Sequence, residues 1–407
     1  MARMDLKSGY PYWAVKNGLM YAFPRLESDT TCDVLVIGGG ISGALIARKL
    51  ADADFDVAVV EQRDIAWGST AASTALLQYE NDVHMLDLAR KYGEPAAALI
   101  YRACAEAIFE LRDISREVAD VGFRRQHSLY LASRRLHRRS LIAEFELRAR
   151  HGFDVEWLSR HELQERFQVD YAGAIWSELG AQIDPYRMTS RLLRRLHGRG
   201  VRIFDRTEVL RVDSAGRGAM AQTRNGFSIR SGHVVIATGY AAQKWLSAKV
   251  ARNRSSYAYI TDPIDTNVLG PWSETMLWES ARPYVYARTT ADRRLIIGGE
   301  DDAIDLPHRR DRRLEYKTRR LYKRARTIWP LAELEPAFAW AGTFAETSDG
   351  LPFFGTHPQY GSRVLFAMAY GGNGIVYSTI GANLLCAMLQ RRRPPLQALL
   401  GFQRIAD

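Results

Sequence analysis

The sequence predicts an α/β fold built on a Rossmann-like dinucleotide-binding domain, and three stretches carry that prediction. Residues 33–62, DVLVIGGGISGALIARKLADADFDVAVVEQ, read as strand, Gly-rich turn, helix and second strand ending at an acid. Residues 363–389, RVLFAMAYGGNGIVYSTIGANLLCAML, give strand, Gly-rich turn and helix again near the other end. Between them a strand-rich block runs from about Ser255 to Gly299.

Taken in order, the first thirty residues mix aromatics with charges and contain no continuous apolar core, so neither a signal peptide nor a membrane span is expected there. Val34 to Ile37 suits a strand buried on both faces and enters Gly38-Gly39-Gly40-Ile41-Ser42-Gly43. In this GxGxxG turn Gly38 makes the tight bend, Gly40 lets the backbone approach a pyrophosphate at the helix N-terminus, and Gly43 lets helix pack on strand. Val57 to Val60 ends at Glu61, placed to hydrogen-bond a ribose hydroxyl. Residues 83–120 read mainly as helices broken at Gly93-Glu94-Pro95, and His127 to Ala132 as a strand. Ser159-Arg160-His161-Glu162 is a capping box, and Asp184-Pro185 an N-cap with a first-turn proline. Three short strands follow, Glu208 to Val212, Ala219 to Arg224 and Phe227 to Ser231, with Asn225-Gly226 as a hairpin turn, and then the buried strand of HVVIATGY, residues 233–240.

The 407 residues suffice for two domains, and near-half apolar content with a quarter charged suits a folded chain. The formal charge of +10 comes mostly from arginine, densest in HRRDRRLEYKTRRLYKRAR, residues 308–326. Leu314, Leu321, Ala325 and Ile328 recur there at helical spacing, which predicts a helix with its arginines in solvent rather than a nucleic-acid site. Cys32, Cys104 and Cys386 show no metal or redox spacing and are expected to be buried thiols; no metal is expected, and the expected location is cytoplasmic.

A dinucleotide turn near one end and a second anion-friendly helix terminus near the other favour FAD over NAD, because FAD is long enough to use both. The sequence resembles the FAD-dependent D-amino-acid oxidase and amine oxidase family, which includes glycine oxidase, sarcosine oxidase and gamma-glutamylputrescine oxidase. The resemblance rests on DVLVIGGGISG, Gly68-Ser69-Thr70-Ala71-Ala72-Ser73-Thr74, HVVIATG, ARPYVYARTTADRRLIIGGED at 281–301, WAGTFAETSDGLPFFG at 340–355 and AYGGNGI at 369–375. It implies an FAD-binding domain (31–82, 154–250 and 339–395) interrupted by an antiparallel-sheet substrate domain (83–153 and 251–338). It further implies that Gly38, Gly40, Ile41, Ser42 and Gly43 hold the pyrophosphate and that Glu61, Gln62 and Arg63 serve the adenosine ribose. Gly68, Ser69, Thr70 and Thr74 would follow the cofactor towards its ring, with Val209 at the adenine and Ala237, Thr238 and Gly239 along it. Gly342, Asp349 and Leu351 would lie by the flavin, whose pyrimidine edge is capped by Gly371, Gly372, Asn373, Gly374 and Ile375. Cys386 falls inside the last helix, so FAD is expected without a covalent link.

The chemistry the resemblance implies is hydride transfer from a carbon next to nitrogen to the flavin, giving an imine that water hydrolyses. In the family's amino-acid oxidases an Arg clamps the substrate carboxylate two residues after the glycine matching Gly342; here that position is Phe344. Arg288 is the replacement candidate, with Tyr286 and Tyr370 as aromatic walls. A lysine that promotes reaction with O2 in sarcosine-oxidase relatives aligns with Ile296, so either O2 or another electron acceptor, a quinone or carrier protein, is open. The expected activity is oxidation of a small-molecule amine or amino-acid derivative. The rivals are an FAD protein that modifies tRNA, with nucleic acid the less favoured partner, and a flavin-binding protein without turnover.

Overall fold

The computed structural model describes residues 6–330 and 332–405, and among them two sheets organise the chain. The smaller runs in the order Phe353–Thr356, Val364–Met368, Ser228–Ile236, Thr30–Ile37, Val57–Val60, Arg202–Phe204. From Val364–Met368 onward these strands pair in parallel, as their continuous apolar runs require, and the helix Ile41–Ala51 joins Thr30–Ile37 to Val57–Val60. This is the expected Rossmann-like unit.

The larger sheet runs Lys7–Gly9, Pro336–Glu346, Arg252–Pro263, Arg294–Asp302, Val285–Thr289, Thr275–Glu279, Arg124–Leu131, Ala174–Gln182, Leu76–Gln78, with Val155–Leu158 also on Ala174–Gln182. All its pairs are antiparallel except Thr275–Glu279 with Arg124–Leu131. The expected domain limits shift accordingly. Val155–Leu158, Ala174–Gln182 and the whole of Pro336–Glu346 belong to this sheet, although the sequence reading put 154–250 and 339–395 with the cofactor domain. The helix Glu94–Val118, expected in the substrate domain, packs against Gly374–Leu389 in the apolar core that also holds Ile41–Ala51. An extended or amphipathic segment carries no local mark of which core it will join.

Local signals account for several boundaries. Ser159 and Glu162 exchange both capping-box hydrogen bonds, and Asp184 accepts the amide of Arg187 to open Pro185–Gly198. Gly226 takes φ +92° in the expected hairpin turn. The strands expected at 227–231 and 233–240 are one strand, Ser228–Ile236. Its first half pairs antiparallel with Gly218–Thr223 on one side, and from Ile229 to Ile236 it runs parallel beside Thr30–Ile37 on the other.

The basic helix spans Pro307–Ile328, and Leu321, Ala325 and Ile328 are buried as expected. Two of its cations are not in solvent. Arg310 is buried against Ser8, Asp305 and Thr343, and Lys317 donates to Glu300 O and pairs with Asp302. Cys104 and Cys386 are buried, whereas Cys32 is only half-buried. No helix of the described residues is long and apolar enough to cross a membrane.

Candidate active site

The turn after Thr30–Ile37 is glycine-rich because the chain crosses itself there. A Cβ on Gly43 would lie 1.8 Å from the carbonyl oxygen of Gly38, and Gly38 itself has φ +124° against the Ala237 carbonyl. Gly43 therefore packs behind the turn rather than facing a ligand. The Ile41 amide donates to Thr70 Oγ1 at 3.0 Å, and Ser42 Oγ meets Ser378 Oγ at 2.7 Å, which ties both helix N-termini together. Glu61 accepts the amides of Gly39 at 2.8 Å and Arg63 at 2.9 Å. Burial pushes its carboxyl above the ordinary range while those amides oppose the rise.

Opposite stands the turn before Gly374–Leu389. Asn373 Nδ2 donates to Gln78 O at 2.9 Å and Glu80 O at 3.3 Å, and Tyr240 Oη donates to Gly371 O at 2.8 Å. The Gly372 amide donates to Asp82 Oδ2 at 2.6 Å. Asp82 opens onto the cavity but has protein on its other sides, and burial pushes its carboxyl up. A Cβ on Gly371 would come within 2.6 Å of that carboxylate.

One cavity of about 580 Å³ joins these turns and continues beneath the larger sheet. Of the residues expected at the cofactor, Gly38, Gly40, Ile41, Ser42, Glu61, Gln62, Arg63, Gly68, Ser69, Thr70 and Thr74 line it. So do Val209, Ala237, Thr238, Gly239, Gly342, Gly371, Gly372, Asn373, Gly374 and Ile375. Besides Gly43, two expected residues lie elsewhere. Asp349 is fastened to Arg404, Tyr92 and the Leu351 amide, and Leu351 is fully buried in the core. The Asp349-Gly350 turn thus anchors residues near 404 instead of lining the cavity.

The sheet end of the cavity is aromatic. Tyr130 and Trp278 stack with centroids 3.5 Å apart, His84 Nε2 lies 2.8 Å from Tyr130 Oη, and Tyr284, Tyr286 and Phe344 complete the wall. Tyr370 lines it by its ring only, since its hydroxyl donates to Ala367 O at 2.6 Å. A Cβ on Gly298 would sit 2.3 Å from the Tyr286 ring, so that glycine makes room for the tyrosine.

Arg288 is not in this wall. Its guanidinium donates to Thr74 O at 2.7 Å, Gln182 Oε1 at 2.7 Å and Ile183 O at 3.3 Å, and it lies over the Trp13 ring. Burial lowers it to about 9, which still leaves it charged at neutral pH. The expected carboxylate clamp is thereby corrected: Arg288 buttresses Thr74 from behind. Ile296 likewise does not line the cavity and is buried with Trp13, Ala258 and Trp340. Arg282, which sequence reasoning passed over, does reach the aromatic end, and it is paired with Glu346 at 3.0 Å. Asp82, Tyr130, Trp278 and Tyr284 were also passed over. Only Tyr284 had a visible signal, its alternation with Tyr286.

The cradle fits FAD. Two helix N-termini face one cavity, Gly38 and Gly40 line it without side chains, and an ordered acid ends the second strand. Among the described residues no cluster of His, Cys, Asp or Glu is arranged to hold a metal ion.

Residues 33–388 match the family model described as DAO, FAD dependent oxidoreductase. Glycine oxidase of Geobacillus kaustophilus is 26% identical over 367 residues, covering 88% of this chain and 93% of the relative. Gamma-glutamylputrescine oxidoreductase of Escherichia coli is 24% identical over 406 residues, 93% of this chain and 88% of that one. In fold, the crystal structure of glycine oxidase from Geobacillus kaustophilus superposes with a TM-score of 0.76 at 21% identity, covering 92% of this chain and 99% of that one. L-amino acid deaminase from Proteus myxofaciens gives 0.77 at 15% identity over 99% and 98%. With most of its length inside the family's match and its two glycine turns forming one FAD cradle, the chain belongs to the FAD-dependent oxidoreductase family and uses FAD as its cofactor.

Proposed function

We propose that the enzyme oxidises the carbon–nitrogen bond of an amine, or of an amino-acid derivative recognised without an α-carboxylate clamp, to an imine that water hydrolyses. Bound FAD, held without a covalent link, would supply the hydride acceptor. The observation that carries this reading is the sheet end of the cavity. It is walled by Tyr130, Trp278, Tyr284, Tyr286 and Phe344, its arginine Arg282 is already paired with Glu346, and Arg288 is spent on backbone and amide oxygens. Aromatic faces hold an amine's alkyl chain and attract its ammonium. They fix orientation at near-attack distance, which this chemistry needs more than a strong base. The relatives named glycine oxidase and gamma-glutamylputrescine oxidoreductase support nitrogen compounds as the substrate class.

The reaction cycle would close on O2 or on a quinone or carrier protein. The second acceptor class gains support from the lining, where the described lysine, Lys244, stands in the short helix after Gly239 rather than by the aromatic wall. A nucleic-acid substrate is disfavoured by the basic helix. Its Arg310, Arg313, Arg320 and Arg324 pair with Asp305, Asp302, Glu300 and Glu279, which leaves less net positive field for a polyanion.

The test is anaerobic bleaching of the visible flavin absorbance by butylamine, N-methyl amino acids and D-amino acids. Bleaching by amines supports the reading. Rapid bleaching by glycine or D-alanine, with amines inert, would overturn the argument from Phe344, and steeply salt-dependent retention of tRNA would favour the nucleic-acid rival.

A further inference from the structure

An irregularity in the larger sheet places an acid behind the aromatic wall. Between the paired residues Ser255 with Asp302 and Tyr257 with Gly299, two residues of one strand, Glu300 and Asp301, oppose the single Ser256 of the other. This is a β-bulge, and Glu300 takes φ +55° to make it. Along Arg294–Asp302, Gly298 faces the ring of Tyr286, which lines the cavity. Regular alternation would send Glu300 to the same side. The extra residue passes that place to Asp301, while Glu300 turns to Lys317 and Arg320 on the other face.

Both Asp301 carboxylate oxygens are buried without a completed hydrogen bond. No cation is in ion-pair contact with Asp301 among the described residues. The hydroxyls of Ser256 and Tyr284 face it, and Ser256 Oγ lies 3.3 Å from Tyr286 Oη. Ser256, Tyr284 and Tyr286 all line the cavity. A chain of hydroxyls therefore runs from the place of the substrate to an acid with open acceptor capacity.

We propose that Asp301 is the proton acceptor that neutralises the substrate ammonium, reached through the hydroxyls of Tyr286 and Ser256. The inference rests on the amine reading above. An amine enters at neutral pH as R–NH3+, and its nitrogen must regain a lone pair before the adjacent carbon can give up hydride. The ammonium N–H bond breaks as its proton passes to Tyr286 Oη. The Tyr286 proton passes to Ser256 Oγ and the Ser256 proton to Asp301, which ends as a neutral carboxylic acid beside a neutral amine. No electron moves in this step. Burial raises the Asp301 carboxyl to about 6, close enough to neutrality to exchange a proton with a cavity-bound amine. The titratable and charged groups that face it are Tyr284 and Tyr286, Arg282 from the turn before them, and Asp82 from across the cavity. Arg282 favours the anion and Asp82 the acid.

The experiment uses the FAD-loaded enzyme with butylamine as the oxidisable probe and tert-butylamine, which has no hydrogen on the carbon bonded to nitrogen, as the unreactive one. Wild-type kcat/KM for butylamine should fall as pH drops through about 6. Asp301→Asn should lower it at neutral pH by about 100-fold and follow the free-base fraction of the amine, tenfold per pH unit. Ser256→Ala, which keeps the carboxylate but opens the relay, should shift the profile in the same sense. In calorimetry with buffers of different ionisation enthalpy, tert-butylamine should bind the wild type without net proton release and Asp301→Asn with release. Wild-type pH profiles in both variants, or identical proton release, overturn the proposal. Failure of the amine reading is distinct: butylamine then does not bleach wild-type flavin and tert-butylamine does not bind, and the proposal falls with it.

Discussion

The amide of Gly372 and the carboxylate of Asp82 form a 2.6 Å hydrogen bond, which sets an acid at the positive end of the Gly374–Leu389 helix. We infer that this helix end would otherwise favour negative charge on a flavin pyrimidine edge bound against it. Asp82→Asn removes the competing charge and keeps a group that can bond the amide. The midpoint potential of the bound flavin should rise by an amount on the order of tens of millivolts, as removal of a charge from the wall of a partly wet cavity implies. Dye-equilibration titration reads it, and an unchanged potential would show that Asp82 carries no charge there.

Arg288→Lys addresses the buttress. A lysine cannot reproduce the fork to Thr74, Gln182 and Ile183, and each lost hydrogen bond to a charged group costs about 1.5–3 kcal/mol. Denaturant unfolding should show the loss, while the relative kcat/KM for glycine and butylamine stays as in the wild type. A selective rise in KM for carboxylate-bearing substrates would restore the clamp.

These two residues mark the limit of what was legible. The glycine turns could be read because crossing backbones exclude a Cβ, and that exclusion is local; so are the caps at Ser159 and Asp184. Arg288 sits two residues from Tyr286 on one strand, and spacing put both at the wall. Which of them reaches it is decided by Thr74 and Ile183, parts of distant segments that cover the guanidinium. Asp349 failed in the same way, captured by Arg404. Asp82 and Asp301 were invisible because a loop conformation and a bulge, neither written in apolar periodicity, aim them.

Gly298→Ala should separate substrate positioning from cofactor binding. The new Cβ would lie 2.3 Å from the Tyr286 ring, which must swing into the cavity. A displacement of that kind can lower kcat/KM by about 10- to 100-fold. Flavin content, read from the absorbance ratio of purified protein, should be unchanged, and equal loss of both would mean that the sheet itself has shifted.

Asp301→Asn should stabilise the fold at neutral pH even as it slows catalysis. The folded carboxyl titrates near 6, above its ordinary 3.8, so the folded chain holds the proton more tightly than the unfolded chain. The cost of ionising it is absent below pH 3.8 and complete above about 6. Asn has no such cost, so its Tm should exceed the wild type at pH 7 to 8, with a gain of at most about 3 kcal/mol, and the gain should vanish near pH 4. A gain that grows on acidification would contradict the assignment.

The FAD cradle is assembled from Gly38–Gly43 and Gly371–Ile375, near opposite ends of the sequence, fastened by the Ser42–Ser378 contact. Ribosomal synthesis delivers these two halves far apart in time. A nascent chain halted before residue 371 presents the first glycine turn alone, without the second turn and the helix Gly374–Leu389. A complete cavity therefore needs segments more than three hundred residues apart, so truncation before residue 371 should abolish the yellow colour even where the first turn still folds.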